Sequence, residues 1–117
     1  MIKFDTPRGM ITVTTEVFTN ISGEAATGCF GVKGMGARSK ADGLVHLLRR
    51  ESMGKGVRVS FNDEEQALIS LHIVVDYGVN IMAVCDSIIN EVSYKVSKAT
   101  GVPVAAVDVY IDSVRAD

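Results

Sequence analysis

Ala67-Leu-Ile-Ser-Leu-His-Ile-Val-Val-Asp-Tyr77 decides the fold, together with Gly78-Val-Asn80 and the helical repeat that opens at Ile81. Ile69, Leu71, Ile73, Val75 and Tyr77 fall on one face of the first segment. Ser70, His72, Val74 and Asp76 fall on the other. A period of two over so many residues predicts a strand with one buried face. Gly78-Val-Asn80 reads as a turn that ends in a helix cap. From Ile81 the apolar positions become Ile81, Val84, Ile88, Val92 and Val96, with Cys85, Ile89 and Ala99 beside them. Spacings of three and four put these on one helical stripe. Lys95 and Lys98 sit in the last turn, where the helix dipole favours cations, and Gly101 and Pro103 stop the helix. Val104 to Val114 then alternates again, Val107, Val109 and Ile111 inward, Asp108, Tyr110 and Asp112 outward. Strand, helix, strand in this order predicts a parallel pair with a right-handed crossover.

Toward the amino terminus, Val57, Val59 and Phe61 alternate with Arg58 and Ser60, and Asn62 to Gln66 is a polar turn. That predicts a hairpin with the Ala67–Tyr77 strand. Ser39 to Glu51 reads as a short helix capped by Ser39 or Asp42, with Leu44, Leu47 and Leu48 on its apolar face. Gly31-Val-Lys-Gly-Met-Gly36 is dense in glycine and fits either a short strand or a loop with positive φ. Glu16 to Gly28 is a second long helix capped by Thr15. Its stripe is Val17, Ile21, Ala25 and Gly28, widened by Phe18, Ala26 and Cys29. Met10 to Thr14 is a half-buried strand, Ile11 and Val13 on one side, Thr12 and Thr14 on the other. Alternating strands and two single-striped helices predict an α+β fold. The expected form is a two-layer α/β sandwich: a mixed sheet of about four strands with both long helices on one face.

The chain has 117 residues and 12.5 kDa, one domain's worth. With 47% hydrophobic and 22% charged residues it reads as globular. A formal net charge of -2 disfavours a broad nucleic-acid interface. The amino terminus has no apolar core of a signal peptide, and no apolar run reaches bilayer length. A cytoplasmic chain is expected.

Sets of residues that carry chemistry are sparse. Cys29, Cys85, His46 and His72 lack the short spacings of a zinc site, and both cysteines lie on apolar helix stripes. No metal and no cofactor are expected. Ser70, His72 and an aspartate (Asp76, Asp108 or Asp112) can share a strand face, but an open face offers no water-excluded pocket or oxyanion site. No catalytic residue is assigned. The glycine-rich segment lacks the Gly-Lys-Ser/Thr ending of a P-loop, although Gly31-Val-Lys-Gly34 fits the bare GxxG of KH domains. Arg49, Arg50, Lys55 and Arg58 are offset at once by Asp63, Glu64 and Glu65.

Several motifs together resemble one family: Gly9-Met-Ile-Thr-Val through Glu16-Val17, and Ile21-Ser-Gly23-Glu-Ala25-Ala26 with Gly31-Val-Lys-Gly34-Met35. Val75-Asp-Tyr77-Gly78-Val-Asn80-Ile81, Thr100-Gly101 and Val107-Asp-Val-Tyr-Ile111 complete the set. The sequence resembles the alkaline shock proteins, envelope stress response proteins of Gram-positive bacteria, over a core from about Gly9 to Val114 within a single domain spanning 1–117. The resemblance implies a small, cytoplasmic, non-enzymatic protein of cell-envelope homeostasis. It implies self-assembly and, for some members, an integral-membrane anchor protein as partner. No catalytic residue carries over.

Two surfaces are the candidates for interaction. One is the glycine-rich segment, with Gly31, Lys33, Gly34 and Met35. The other is the sheet face away from the helices, with Thr12, Ser70, His72, Val74 and Tyr110. The alternative reading is a KH-like nucleic-acid-binding module that uses the glycine-rich loop.

Overall fold

The computed structural model describes residues 1–38, 45–47 and 56–116. The chain runs β1 (Ile2–Thr6), β2 (Gly9–Val13), α1 (Thr15–Thr27), β3 (Val32–Arg38), β4 (Val45–Leu47), β5 (Val57–Phe61), β6 (Ala67–Asp76), α2 (Ile81–Thr100) and β7 (Val104–Arg115). The fold is α+β, as the alternation patterns predict.

β6 organises the main sheet. β7 runs parallel to it along its whole length, from Ala67↔Val104 to Asp76↔Arg115. On its other side β6 pairs antiparallel with β5 over Ala67–Leu71 and with β3 over Ile73–Val75. β4 extends the sheet beyond β3. The sheet is therefore mixed and five-stranded. Among the described residues β7 has no strand partner on its outer side, so it is an edge.

The β5–β6 hairpin forms as expected. Its turn is tied by Asn62, whose Oδ1 accepts from the Glu64 and Gln66 backbone N–H groups at 3.0 and 2.9 Å. α2 also matches its pattern. Asn80 Oδ1 accepts from Ala83 N–H at 3.0 Å, and Gly101 closes the helix with φ of 75°. Val84, Ile88, Val92 and Val96 are buried in one cluster with Ile69, Leu71, Ile73 and Val107, and Val109 packs at its margin. Ile81 belongs to the predicted stripe but is exposed, because the stripe meets the core only from Val84.

Four expectations are corrected. First, the Met10–Thr14 strand does not join the main sheet. It is β2, and it pairs only with β1, a strand the sequence reading missed. Ile11 is 54% exposed rather than half-buried, and Thr12 shares no face with His72. Second, the α1 stripe is met in part: Phe18, Ala25 and Ala26 are buried as expected, and Ile21 and Cys29 pack against the core. The buried residues of the helix are Phe18, Ser22, Gly23, Ala25 and Ala26, whereas Val17 and Gly28 are exposed. The small residues let the helix lie close, and the buried Ser22 hydroxyl is satisfied by donating to Phe18 O at 2.7 Å. Phe18 meets Phe61 edge to face, ring centres 5.1 Å apart. Thr14, not Thr15, precedes the helix, without a side-chain cap. Third, Val45–Leu47, inside the helix expected over Ser39–Glu51, is strand β4. It adds to the edge of β3 through Gly36↔Leu47 and Arg38↔Val45. The rest of that expected helix lies outside the described residues. Fourth, Val74 is fully buried, although strand alternation put it on the open face.

Candidate interaction surfaces

The glycine-rich segment is mostly strand. Gly31 precedes β3 with φ of +88°, and its carbonyl accepts from Asp76 N–H at 2.9 Å. Gly34 and Gly36 are buried, and Met35 is a core side chain at 1% exposure. Lys33 reaches the surface and pairs with Asp76, Nζ to Oδ1 3.3 Å. A partly solvated pair of this kind contributes at most about 1 kcal/mol. β3 slips register against β6 between Val32 and Gly34, which sets Lys33 in a bulge. Buried in this way, Gly31, Gly34 and Met35 present no side chain to a partner, and the segment offers no open loop to cradle a phosphate.

The requirement for glycine at position 31 is steric as well as conformational. A Cβ there would stand 2.9 Å from Val84 Cγ2 and 3.2 Å from Val79 Cγ1. Gly31→Ala is expected to lower stability by about 1–3 kcal/mol, through positive φ and overpacking together. Urea unfolding measures it. A loss below about 0.5 kcal/mol would show that the α1–β3 connection relaxes freely.

The sheet face away from the helices holds a different cluster. β6 and β7 set His72 opposite Tyr110. Their rings stack, centres 4.8 Å apart and 12° from parallel. His72 Nδ1–H donates to Asp112 Oδ2 at 2.8 Å. Asp112 is placed for this by a bulge, because β7 slips one residue against β6 between Ile73 and Val74. Tyr110 stays 50% exposed. Ser70 lies opposite Asp108, two positions along from His72. The face thus brings together His72, Tyr110 and an aspartate, and excludes Val74, which is buried. It is shallow. Stacking on Tyr110 and the hydrogen bond to Asp112 hold the imidazole in place.

A third surface was not read from the sequence. The turn between β6 and α2, together with Phe30 beyond α1, borders a cleft of about 510 Å³. Phe30, Tyr77, Val79, Ala83 and Val84 line it, with Asp76 and Asn80 at its polar rim. Phe30 is 88% and Tyr77 78% exposed. Tyr77 was expected on the buried face of its strand. It follows the last residue of β6, beyond the helix-covered sheet, and its N–H donates to Arg115 O at 2.8 Å. The Tyr77-Gly78-Val-Asn80 motif therefore works both as a strand exit and helix cap and as one wall of an apolar cleft. Two aromatics that each directly precede a glycine, Phe30 before Gly31 and Tyr77 before Gly78, were the available signal.

Other reactive groups are quiet. Burial pushes the Cys85 thiol up from its usual range, and Asp86 adds to the shift, so thiolate is scarce at neutral pH. Among the described residues no group of three or more His, Cys, Asp or Glu side chains is placed to hold a metal.

The structure is a small α+β domain with exposed aromatic side chains, Phe30, Tyr77 and Tyr110 among them. The chain belongs to the alkaline shock protein 23 family, described as having cell envelope-related function, whose model matches residues 3–116. It is similar to YloU of Bacillus subtilis (strain 168), 35% identical over 115 residues, which covers 97% of this chain and 95% of that protein. It is also similar to Spy1614 of Streptococcus pyogenes serotype M6, 31% identical over 115 residues, covering 97% and 94%. YqhY of Bacillus subtilis (strain 168) is 28% identical over 113 residues, covering 97% and 82%. No solved structure matches the chain. No described helix is long and apolar enough to cross a membrane.

Proposed function

We propose that the chain is a non-enzymatic, cytoplasmic scaffold of the cell-envelope stress response, self-associating and docked on an integral-membrane anchor protein. The observation that carries self-association is the outer side of β7. Twelve residues of strand have no strand partner there among the described residues, and the half-exposed Tyr110 ring lies beside them. An unpaired strand edge leaves backbone donors and acceptors open to another chain. Tyrosine adds contact area at low entropic cost. The family's envelope-related role supports the setting.

Sedimentation over a concentration series tests self-association. Wild type is expected to form larger species, and Tyr110→Asp to need about tenfold higher concentration for the same degree of association, the effect of losing one strong contact residue. A wild type that stays monomeric at high concentration sinks this reading. Pull-down from native cytoplasm and membrane fractions tests the docking half. Recovery of an integral-membrane protein supports it, and recovery of none overturns it.

A further inference from the structure

The His72 ring is held at two places. One face lies on Tyr110, and Nδ1 stands 2.8 Å from Asp112 Oδ2. An ionised carboxylate only accepts hydrogen bonds, so Asp112 keeps the hydrogen on Nδ1. The neutral ring then carries its lone pair on Nε2, the nitrogen farther from the backbone. The imidazole side chain is 44% exposed and the Asp112 side chain 12%. The orienting carboxylate is sheltered while the ring stays open to solvent.

The same face carries groups that hold an anion. Ser70 precedes His72 by two residues, so both side chains leave β6 on one side of the sheet. Arg58 of β5 lies opposite Ser70 and is exposed. Two residues along a strand span about 7 Å, within the reach of an arginine side chain. Asp108 of β7 lies on the other side of Ser70, so the row is positive toward β5 and negative toward β7. A carboxylate-held imidazole with a hydroxyl and a guanidinium one row along has the parts of a phosphoryl acceptor.

From this we infer that His72 is a phosphorylation site, modified on Nε2 by an N-phosphoryl donor of the phosphoramidate class. The Nε2 lone pair attacks phosphorus. An Nε2–P bond forms as the donor's P–N bond breaks, and the electron pair leaves on the donor nitrogen. The proton on Nδ1 stays in place, and the ring becomes an N-phosphoryl imidazolium whose positive charge faces Asp112. Nothing is oxidised or reduced. Ser70 and Arg58 hold the phosphoryl oxygens at the end of the row away from Asp108. The chain is the substrate of this transfer and not its catalyst, so the site goes beyond the self-association proposed above and does not rest on it.

Phosphoramidate itself is the probe, and His46 in β4, the other of the two histidines, is the internal reference. The folded protein is incubated with phosphoramidate at neutral pH, and adducts are located by mass spectrometry without acid, which cleaves phosphohistidine. His72 is expected to be labelled at least about tenfold faster than His46, and unfolding in urea to level the two rates. Asp112→Asn keeps an oxygen that accepts from Nδ1–H but removes the charge. It is expected to slow His72 labelling by about tenfold, the effect of losing a partner that orients an imidazole. Arg58→Ala is expected to slow it about fivefold, the scale of one surface charge contact. Both variants are labelled below their thermal unfolding transitions, so slower labelling reports the site and not the fold. Equal rates at the two histidines of the folded protein overturn the inference, as do Asp112→Asn or Arg58→Ala rates equal to wild type's.

Discussion

Val74→Asp is expected to abolish the folded state. Val74 is fully buried in the long central strand, opposite Gly34 of β3 and Ser113 of β7. A carboxylate there loses its hydration on burial. The penalty in real proteins is several kcal/mol even after relaxation, against a total stability of about 5–15 kcal/mol for a domain. Protonation lowers the penalty but leaves a buried acid to satisfy. The expected result is insoluble protein, or soluble protein without a cooperative urea transition. A variant that unfolds cooperatively within about 1 kcal/mol of wild type would place position 74 at the surface, as simple strand alternation predicts. Val74 is for the same reason unsuitable for probing an interface.

Ile88→Ala is expected to cost about 2–5 kcal/mol, the range for removing a large buried aliphatic side chain and leaving a cavity. Ile88 is fully buried at the centre of the α2 stripe, among Val84, Val92 and the β6 residues Ile69, Leu71 and Ile73. Val84 and Val92 are fixed to the same helix, so the site collapses poorly. Chemical denaturation gives the value, and a loss under 1 kcal/mol would mean that α2 presents another face to the sheet. The same substitution at Ile81, exposed at the start of the helix, should change stability by less than about 0.5 kcal/mol.

The second half of the chain was legible because its signals are local and mutually consistent. Asn80 and Gly101 mark the ends of α2 by side-chain chemistry and backbone freedom, and the β6 alternation names its buried face from Ile69 to Ile73. Alternation failed at Val74, while Val75 is buried as its face predicts. Val74 lies where β6 meets bulges in β3 and in β7. A bulge belongs to the partner strand's register, which no window of β6 sequence contains. The α1 face was misjudged for a related reason. Phe18 and Ala25 are buried as read, but Val17 is exposed while Ser22 and Gly23 lie buried, because close approach favours small side chains. Hydrophobicity alone misses the two small polar or side-chain-free positions, Ser22 and Gly23, that complete the buried face.

The interaction surfaces divide in the same way. His72 and Tyr110 were correctly placed together, because their strands are parallel and their register follows from one βαβ unit. Asp112 was one of several aspartates on that face until a bulge singled it out. The cleft was missed because Phe30 and Tyr77 come from segments 47 positions apart whose meeting depends on how α1 leads into β3. β1 was missed because only five residues, Ile2–Thr6, carry its pattern, and Lys3 and Asp5 dilute it.

The long parallel pairing of β6 with β7 also imposes an order in time. About 40 residues separate Asp76 from Arg115, and synthesis at roughly 5–20 residues per second takes about 2–8 s to supply them. Throughout that interval β6, with Ile69, Leu71, Ile73, Val74 and Val75, has been made without the neighbour that flanks its whole length. The β5–β6 hairpin can close early, but one side of the most apolar strand stays open until β7 arrives. The nascent chain passes through a window in which it is most prone to mispairing and most in need of a chaperone.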